Sequence, residues 1–417
     1  MINDVEPECI KQIQNMIDHS AFTKDVVIMP DTHAGKGSVI GFTMPLSEKI
    51  IPNVIGVDIG CGMISVKFGG NLNFSIPEAD KKIKKIIPMG FKIHPKPVLK
   101  NLDLSIPNKA VSNFVSQFNK KFNTNYLPTE ISNEWLQNKI QEVGIKKETF
   151  YNSIGSLGGG NHFIEIGKSN NNYFLTIHSG SRNFGLRIAD YWQKVAINNF
   201  TKTPSFEYKK EVERIKKTTK DKKKIKQKIK ELRIDFPIDF NKELAFLTGN
   251  QMMQYLTDMI FAQYYASLNR KTILERIIKV LEIENIIEEI ESVHNYVDFN
   301  DFIIRKGAIS SYSGKKMIIP FNMRDGLLIC EGITNESWNF SAPHGAGRIM
   351  SRTKAKKTVN LEAFKNSMKN VYSSCISEKT LDESPFVYKD SKLIESLIKP
   401  SAKIIERVKP ILNIKAM

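Results

Sequence analysis

GSLGGGNHFIEIG at residues 155–167, running on into NYFLTIHSGSRNFG at 172–185, is the stretch on which the fold turns. The first segment is a glycine-rich block that ends in a short apolar run. The second reads as a strand followed by a turn. The same texture appears upstream, where VVIMP (26–30), SVIGFTMP (38–45), NVIGVDIG (53–60) and MISVKFG (63–69) are short apolar runs broken by Gly or Pro, predicting turn-punctuated β structure over the first 70 residues. Helical patterns lie around 78–87 and 131–147. Downstream the texture changes. From about 187 to 293 the spacing predicts helix, with Leu256, Met259, Ile260, Tyr264 and Leu268 along one face as core packing. After residue 300 short apolar runs return in KMIIP, GLLICEG and PILNIKAM. The expectation is an α+β body with a helical insertion between its halves.

The chain has 417 residues, 41% hydrophobic and 25% charged, enough apolar material for a core and unlike a disordered polymer. No run approaches the roughly 18 consecutive apolar residues of a spanning helix, so no membrane is expected. MINDVEPECI at the start lacks a basic, apolar signal region. The four cysteines (Cys9, Cys61, Cys330, Cys375) form no CxxC pair, which argues against a disulfide framework and for a reducing cytoplasmic location. The net charge of +17 makes a polyanionic partner worth considering. Residues 209–233 hold 13 Lys/Arg against 4 Asp/Glu, so more than half of the surplus sits in one run. Such a run is more often a solvated face than a nucleic-acid site.

Five of the seven histidines sit among glycines or small polar residues: His33 in MPDTHAGKG, His162 in GGGNHFIE, His178 in TIHSGSR, His294 in SVHNYVDF and His344 in APHGAGR. Such turns put an imidazole on the rim of a site. In VIGVDIGCGM, Asp58 and Cys61 stand three apart on a glycine-flanked turn. A thiolate can bridge two divalent ions, with imidazoles completing the shells; the plainer alternative is a buried small hydrophobe. Spacing does not choose among zinc, manganese, cobalt and iron. Around His344, Arg348 and Arg352 suit phosphate oxygens, as do Ser179, Ser181 and Arg182 in HSGSRNFG. His344 could attack phosphorus, although acid/base and ligand roles are commoner for histidine.

VIGVDIGCGM, GSLGGGNHFIEI, IHSGSRNFG, SVHNYVDF with RKGA, and SAPHGAGRIMSR, in this order, resemble the signature blocks of the RtcB family of GTP-dependent RNA ligases. MPDTHAGKGSVIG, GNQMMQYLTDMIFAQYYASLNR and DESPFVYKD resemble further family blocks. The resemblance runs from about residue 5 to the end, weakest near 205–235. It implies an RtcB-like mixed β-sheet core flanked by helices, a single catalytic domain over 1–417 with 187–293 as helical insertion. It implies two Mn²⁺ ions on Asp58, bridging Cys61, His162, His178 and His294, and a GMP-carrying nucleophile at His344. Nucleotide contacts fall on Asn161, Glu165, Pro320, Met323, Gly345, Ala346, Gly347 and Lys415. The implied activity joins an RNA 3′-phosphate or 2′,3′-cyclic phosphate to a 5′-hydroxyl, with GTP as cosubstrate, in RNA repair or tRNA splicing. Some members use archease, a small activating partner protein.

Three departures stand out. Phe321 and Asn322 replace the Gly-Ser pair expected before Met323, Leu327 replaces a serine linked to nucleotide binding, and Ala416 replaces the terminal glycine. Two other functions are open: a binuclear metallo-phosphoesterase using the same ligands with water as nucleophile, and a noncatalytic RNA-binding protein whose basic helix does the work.

Overall fold

The computed structural model describes residues 5–17, 19–219, 221, 224–229 and 241–417. Seven strands form the main sheet in the order Lys316–Asn322, Gly326–Gly332, Ala402–Lys415, Phe163–Ser169, Asn172–Ser179, Gly62–Phe68, Ile286–Val293, and every neighbouring pair is antiparallel. The 14-residue strand Ala402–Lys415 joins the two halves. Its first part pairs with Gly326–Gly332 and its second with Phe163–Ser169.

Side chains alternate across a strand, and here the alternation separates two environments. Ile64, Val66, Ile164, Ile166, Leu175, Ile177, Leu412 and Ile414 pack outward with Ile273, Leu274, Ile277 and Leu281 of the helix Gly249–Leu281. The opposite face is concave. Met63, Phe163, Phe174, Ile290, Ile318, Leu327, Ile329 and Val408 form one cluster to which all seven strands contribute, so the sheet curls upon itself. Its edges nearly meet: the Ile318 amide donates to Ser292 Oγ at 2.9 Å. Glu165, His178, Asn413 and Lys415 share the inward parity beyond this plug, and they line an open cleft at that end.

A second sheet, Val27–His33, Ile40–Pro45, Ile303–Lys306 and Asn295–Asp298, flanks the first. The helix Gly249–Leu281 is buried well beyond the stripe read from the sequence. Leu256, Met259 and Ile260 are core, with Tyr264 and Leu268 packed against it, and Tyr255, Phe261 and Tyr265 are enclosed as well. No helix among the described residues is long and apolar enough to cross a membrane.

Three local expectations are corrected. NVIGVDIG is not a strand: Pro52–Ile55 is a single helical turn, and Gly56, at φ 100°, starts the loop that presents Asp58 and Cys61. The helical pattern at 131–147 divides into Asn133–Glu142 and Lys147–Asn152, separated at Gly144 with φ 70°. Residues 286–293 lie at the end of the stretch read as helix, yet they form an edge strand. Pairing with Gly62–Phe68 turns Ile290 and Ser292 inward and leaves their neighbours partly exposed. The first half of the basic run belongs to the helix Arg182–Thr218, whereas 220, 222–223 and 230–233 lie outside the described residues.

Candidate active site

Antiparallel register gathers the expected ligands. Cys61 immediately precedes the strand Gly62–Phe68, His162 precedes Phe163–Ser169, His178 nearly ends Asn172–Ser179, and His294 follows Ile286–Val293. Phe163 and Met63 both stand opposite His178, while Gly62 stands opposite Val293. Four residues spread over 234 positions therefore meet at one end of four adjacent strands.

Their donor atoms converge. Cys61 Sγ lies 3.5 Å from His162 Nε2 and 3.3 Å from His178 Nε2. His178 Nε2 is 3.2 Å from His294 Nε2, and His162 Nε2 is 3.0 Å from Asp58 Oδ2. Two triads result, Cys61–His178–His294 and Asp58–Cys61–His162, with Cys61 common to both. His162 Nδ1 faces the Leu157 carbonyl at 2.9 Å; a carbonyl only accepts, so that nitrogen carries the proton and Nε2 is left as the ligand atom. Burial lowers the pKa of His178 and His294 well below the ordinary imidazole value, aided by neighbouring histidines, so both are neutral. Burial beside Asp58 pushes the Cys61 thiol well up. Burial opposes ionisation of Asp58 too, but His162 and the Ser181 amide hold its carboxyl below the usual range. One thiol, three imidazoles and a carboxylate crowded this closely fit divalent ions of mixed S/N/O preference, and such an ion takes the thiol as thiolate.

The supporting shell fixes this arrangement. Asn269 accepts from the Gly155 and Ser156 amides and donates to Ser179 Oγ and the Gly180 carbonyl. Arg270 donates to the carbonyls of Gly60 and Ser179 and pairs with Glu291 at 2.6 Å. Gly180 is required by close approach, since a Cβ there would lie 2.3 Å from Asp58 Oδ1. Neither Asn269 nor Arg270 was among the expected site residues.

His344 follows the short strand Ser341–Pro343, and its ring centroid lies 5.0 Å from that of His294. Its Nδ1 is 2.6 Å from Asp31 Oδ2, which also accepts the His344 amide at 3.2 Å. Asp31 is fully buried and accepts, so the Nδ1 proton points to it and Nε2 is the ring nitrogen that this bond leaves free. Gly347 permits the approach: its φ is 71°, and a Cβ would sit 2.1 Å from the Asp31 carbonyl oxygen. His33 donates from Nδ1 to that carbonyl, and burial lowers its pKa to about 4. Asp31, inside a quoted motif, was not singled out by the sequence.

The cleft is lined by Asn161, Phe163, Glu165, Pro320, Phe321, Asn322, Met323, Gly345 and Lys415, together with Glu383, Tyr388 and Asn413. Ala346 is instead held by its amide on the Pro320 carbonyl and packs in the core. Lys415 donates to Glu383 at 2.7 Å and to the Asn161 carbonyl at 3.4 Å. Burial raises the pKa of Glu165 to about 8. Leu327 packs with Phe163 and Ile318 and gives the cleft no polar atom.

The phosphate candidates divide differently. Ser179 Oγ donates to the Leu157 carbonyl, and Ser181 binds Asp58 through its amide and hydroxyl, so both brace the ligand loops. Arg182 donates to Ser156 Oγ and to the Gly90 carbonyl. Arg348 donates to the Asp382 carbonyl, and Arg352 bonds Asp382 and Glu383.

A family model described as tRNA-splicing ligase RtcB matches residues 12–416. The RNA-splicing ligase RtcB of Escherichia coli (strain K12) is 28% identical over 438 residues, covering 99% of this chain and 95% of that protein. The tRNA-splicing ligase RtcB of Nanoarchaeum equitans is 24% identical, covering 98% and 92% respectively.

Proposed function

Because this chain belongs to the RtcB family, whose model spans nearly all of it, we propose that it is an RNA ligase that uses GTP to join an RNA 3′-phosphate to a 5′-hydroxyl. A 2′,3′-cyclic phosphate end is opened by hydrolysis first. One observation carries the reading: an imidazole with its Nδ1 proton committed to a buried carboxylate stands against two donor triads that share a thiol. Asp58, Cys61, His162, His178 and His294 would hold two Mn²⁺ ions, which supply charge neutralisation and a clamp on attacking and leaving oxygens.

Asp31 keeps His344 in the tautomer whose Nε2 can attack. Nε2 forms a bond to the α-phosphorus of GTP as the bond to the departing pyrophosphate breaks. An oxygen of the RNA 3′-phosphate then attacks the phosphorus of the His344–GMP adduct, freeing the imidazole and leaving an RNA(3′)pp(5′)G end. Finally the 5′-hydroxyl oxygen attacks the RNA phosphorus, its proton is lost and GMP departs. Lys415, steadied by Glu383, is placed to donate to a base carbonyl, and Glu165 to accept from a base N–H. The cleft walls hold the reacting groups in line, which is where a phosphoryl transfer gains most.

The protein mixed with GTP labelled at the α-phosphate and Mn²⁺ is expected to acquire an acid-labile label, and His344→Ala to acquire none. A variant that still takes the label would remove His344 as nucleophile. Trimmed RNA ends with neither label nor joined product would point to phosphoesterase chemistry instead.

A further inference from the structure

We propose that Asn413 is a base-reading residue, its Oδ1 accepting from the 2-amino group of a guanine whose N1–H is taken by Glu165. The inference rests on the GTP reading above and adds to it the residue that separates guanine from other purines.

Asn413 stands opposite Glu165 on the adjacent strand, in the inward parity, and is 2% exposed. Its Nδ2 donates to Glu165 Oε2 at 2.8 Å. That bond uses a donor of the amide and leaves its Oδ1 acceptor unpaired. Two acceptor atoms remain, Asn413 Oδ1 and Glu165 Oε1, both buried without a hydrogen-bond partner. Both residues line the cleft that His344 and Lys415 also line. Buried acceptors left open carry a desolvation cost that a ligand with matching donors removes. Burial already disfavours the Glu165 carboxylate, so donors aimed at it stabilise the ionised form.

Two neighbouring acceptors call for two neighbouring N–H donors. Guanine presents N1–H and the 2-amino group side by side. Hypoxanthine keeps N1–H and lacks the amino group. Adenine has a bare N1 acceptor at the position Glu165 faces, and xanthine puts a carbonyl where Asn413 needs a donor. The expected order is therefore GTP, then ITP, with ATP and XTP rejected. Neither Phe163 nor Leu327, both packed in the apolar plug, offers a polar atom that could make this distinction.

The test measures the adduct-forming rate of the full chain with Mn²⁺ and each nucleotide across concentrations. The wild-type protein is expected to favour GTP over ITP by roughly tenfold or more, the size of one hydrogen bond to a buried acceptor. Asn413→Leu should bring the GTP-to-ITP rate ratio close to one, because ITP has no 2-amino group to bond with Oδ1 in either protein. Equal rates of the wild-type protein with GTP and ITP overturn the proposal, and this arm does not depend on whether the variant folds. A GTP-to-ITP ratio unchanged in Asn413→Leu overturns it as well. Absence of an adduct with every nucleotide overturns the ligase reading itself and takes this inference with it.

Discussion

Glu383 is a buried carboxyl among three cations and a phenol. Oε2 accepts from Lys415 at 2.7 Å and Tyr388 at 2.8 Å, Oε1 accepts from Arg352 at 2.6 Å, and Arg348 stands 3.6 Å away. Burial opposes its ionisation, but the charges of Lys415, Arg352 and Arg348 prevail and hold the carboxyl down to about 2. The folded state thus binds this proton more weakly than the unfolded chain does. Its stabilisation is complete above the ordinary value near 4.5 and is lost as pH falls through about 2. Glu383→Gln is expected to lower stability by about 3 kcal/mol at pH 7, with the gap to wild type narrowing between pH 4.5 and 2. Urea unfolding at several pH values measures this, and a gap independent of pH would contradict it. The same pairing serves the site, because Glu383 holds the Lys415 ammonium at the cleft that both residues line. Asp31 works alike on His344: one buried carboxylate selects the tautomer of an imidazole 313 positions away.

The central helix Gly249–Leu281 does for the loops what Glu383 does for one lysine. Asn269 ties the loop before His162 to the turn after His178, using all of its hydrogen-bonding capacity. Asn269→Leu keeps the volume but strands two buried amides, for a loss of roughly 2–5 kcal/mol. Since both tied loops carry proposed ligands, the Mn²⁺ affinity proposed for the site should fall about 10- to 100-fold in calorimetric titration. Lost stability with unchanged affinity would reduce Asn269 to a scaffold residue. Glycine-rich turns bearing His162, His178 and His344 could be read from the sequence because the signal lies within a few residues of each histidine. Asn269, Arg270, Asp31, Glu383 and Asn413 could not, since each acts on a partner far away in the chain, and a polar residue in an apolar helix or strand carries no local mark of its partner. Two elements were misread for related reasons. Val54 and Ile55 have β-type side chains, but Pro52 starts one helical turn and Gly56 ends it. IIEEIESV follows a long helix without a break in polarity, and only pairing to Gly62–Phe68 makes it a strand.

At the scale of the molecule, one helix runs from the loops around the reacting groups to the first lysines of the basic run. The helix Arg182–Thr218 begins beside the ligand loops, where Arg182 holds Ser156 and the Gly90 carbonyl, and it ends at Lys216 and Lys217 within the basic run. Its 37 residues, at 1.5 Å of rise each, put roughly 50 Å of helix between Arg182 and those lysines. Both are exposed. Beyond about 10 Å, exposed charges are largely screened at ordinary ionic strength, so these lysines are expected to contribute nothing to the proposed binding of GTP or to the proposed attack by His344. They can touch an RNA only if it extends along the whole helix. Lys216→Gln with Lys217→Gln should therefore leave adduct formation and the joining of short oligonucleotides within about twofold of wild type. The dependence of short-RNA affinity on salt should be equally unmoved, since no phosphate contact is removed from the cleft. Losses would be confined to RNAs long enough to reach the far end of the helix. If short oligonucleotides lost affinity and their salt slope fell by about 1.4, as two phosphate contacts to a single strand require, the basic end of the helix would have to fold back over the cleft.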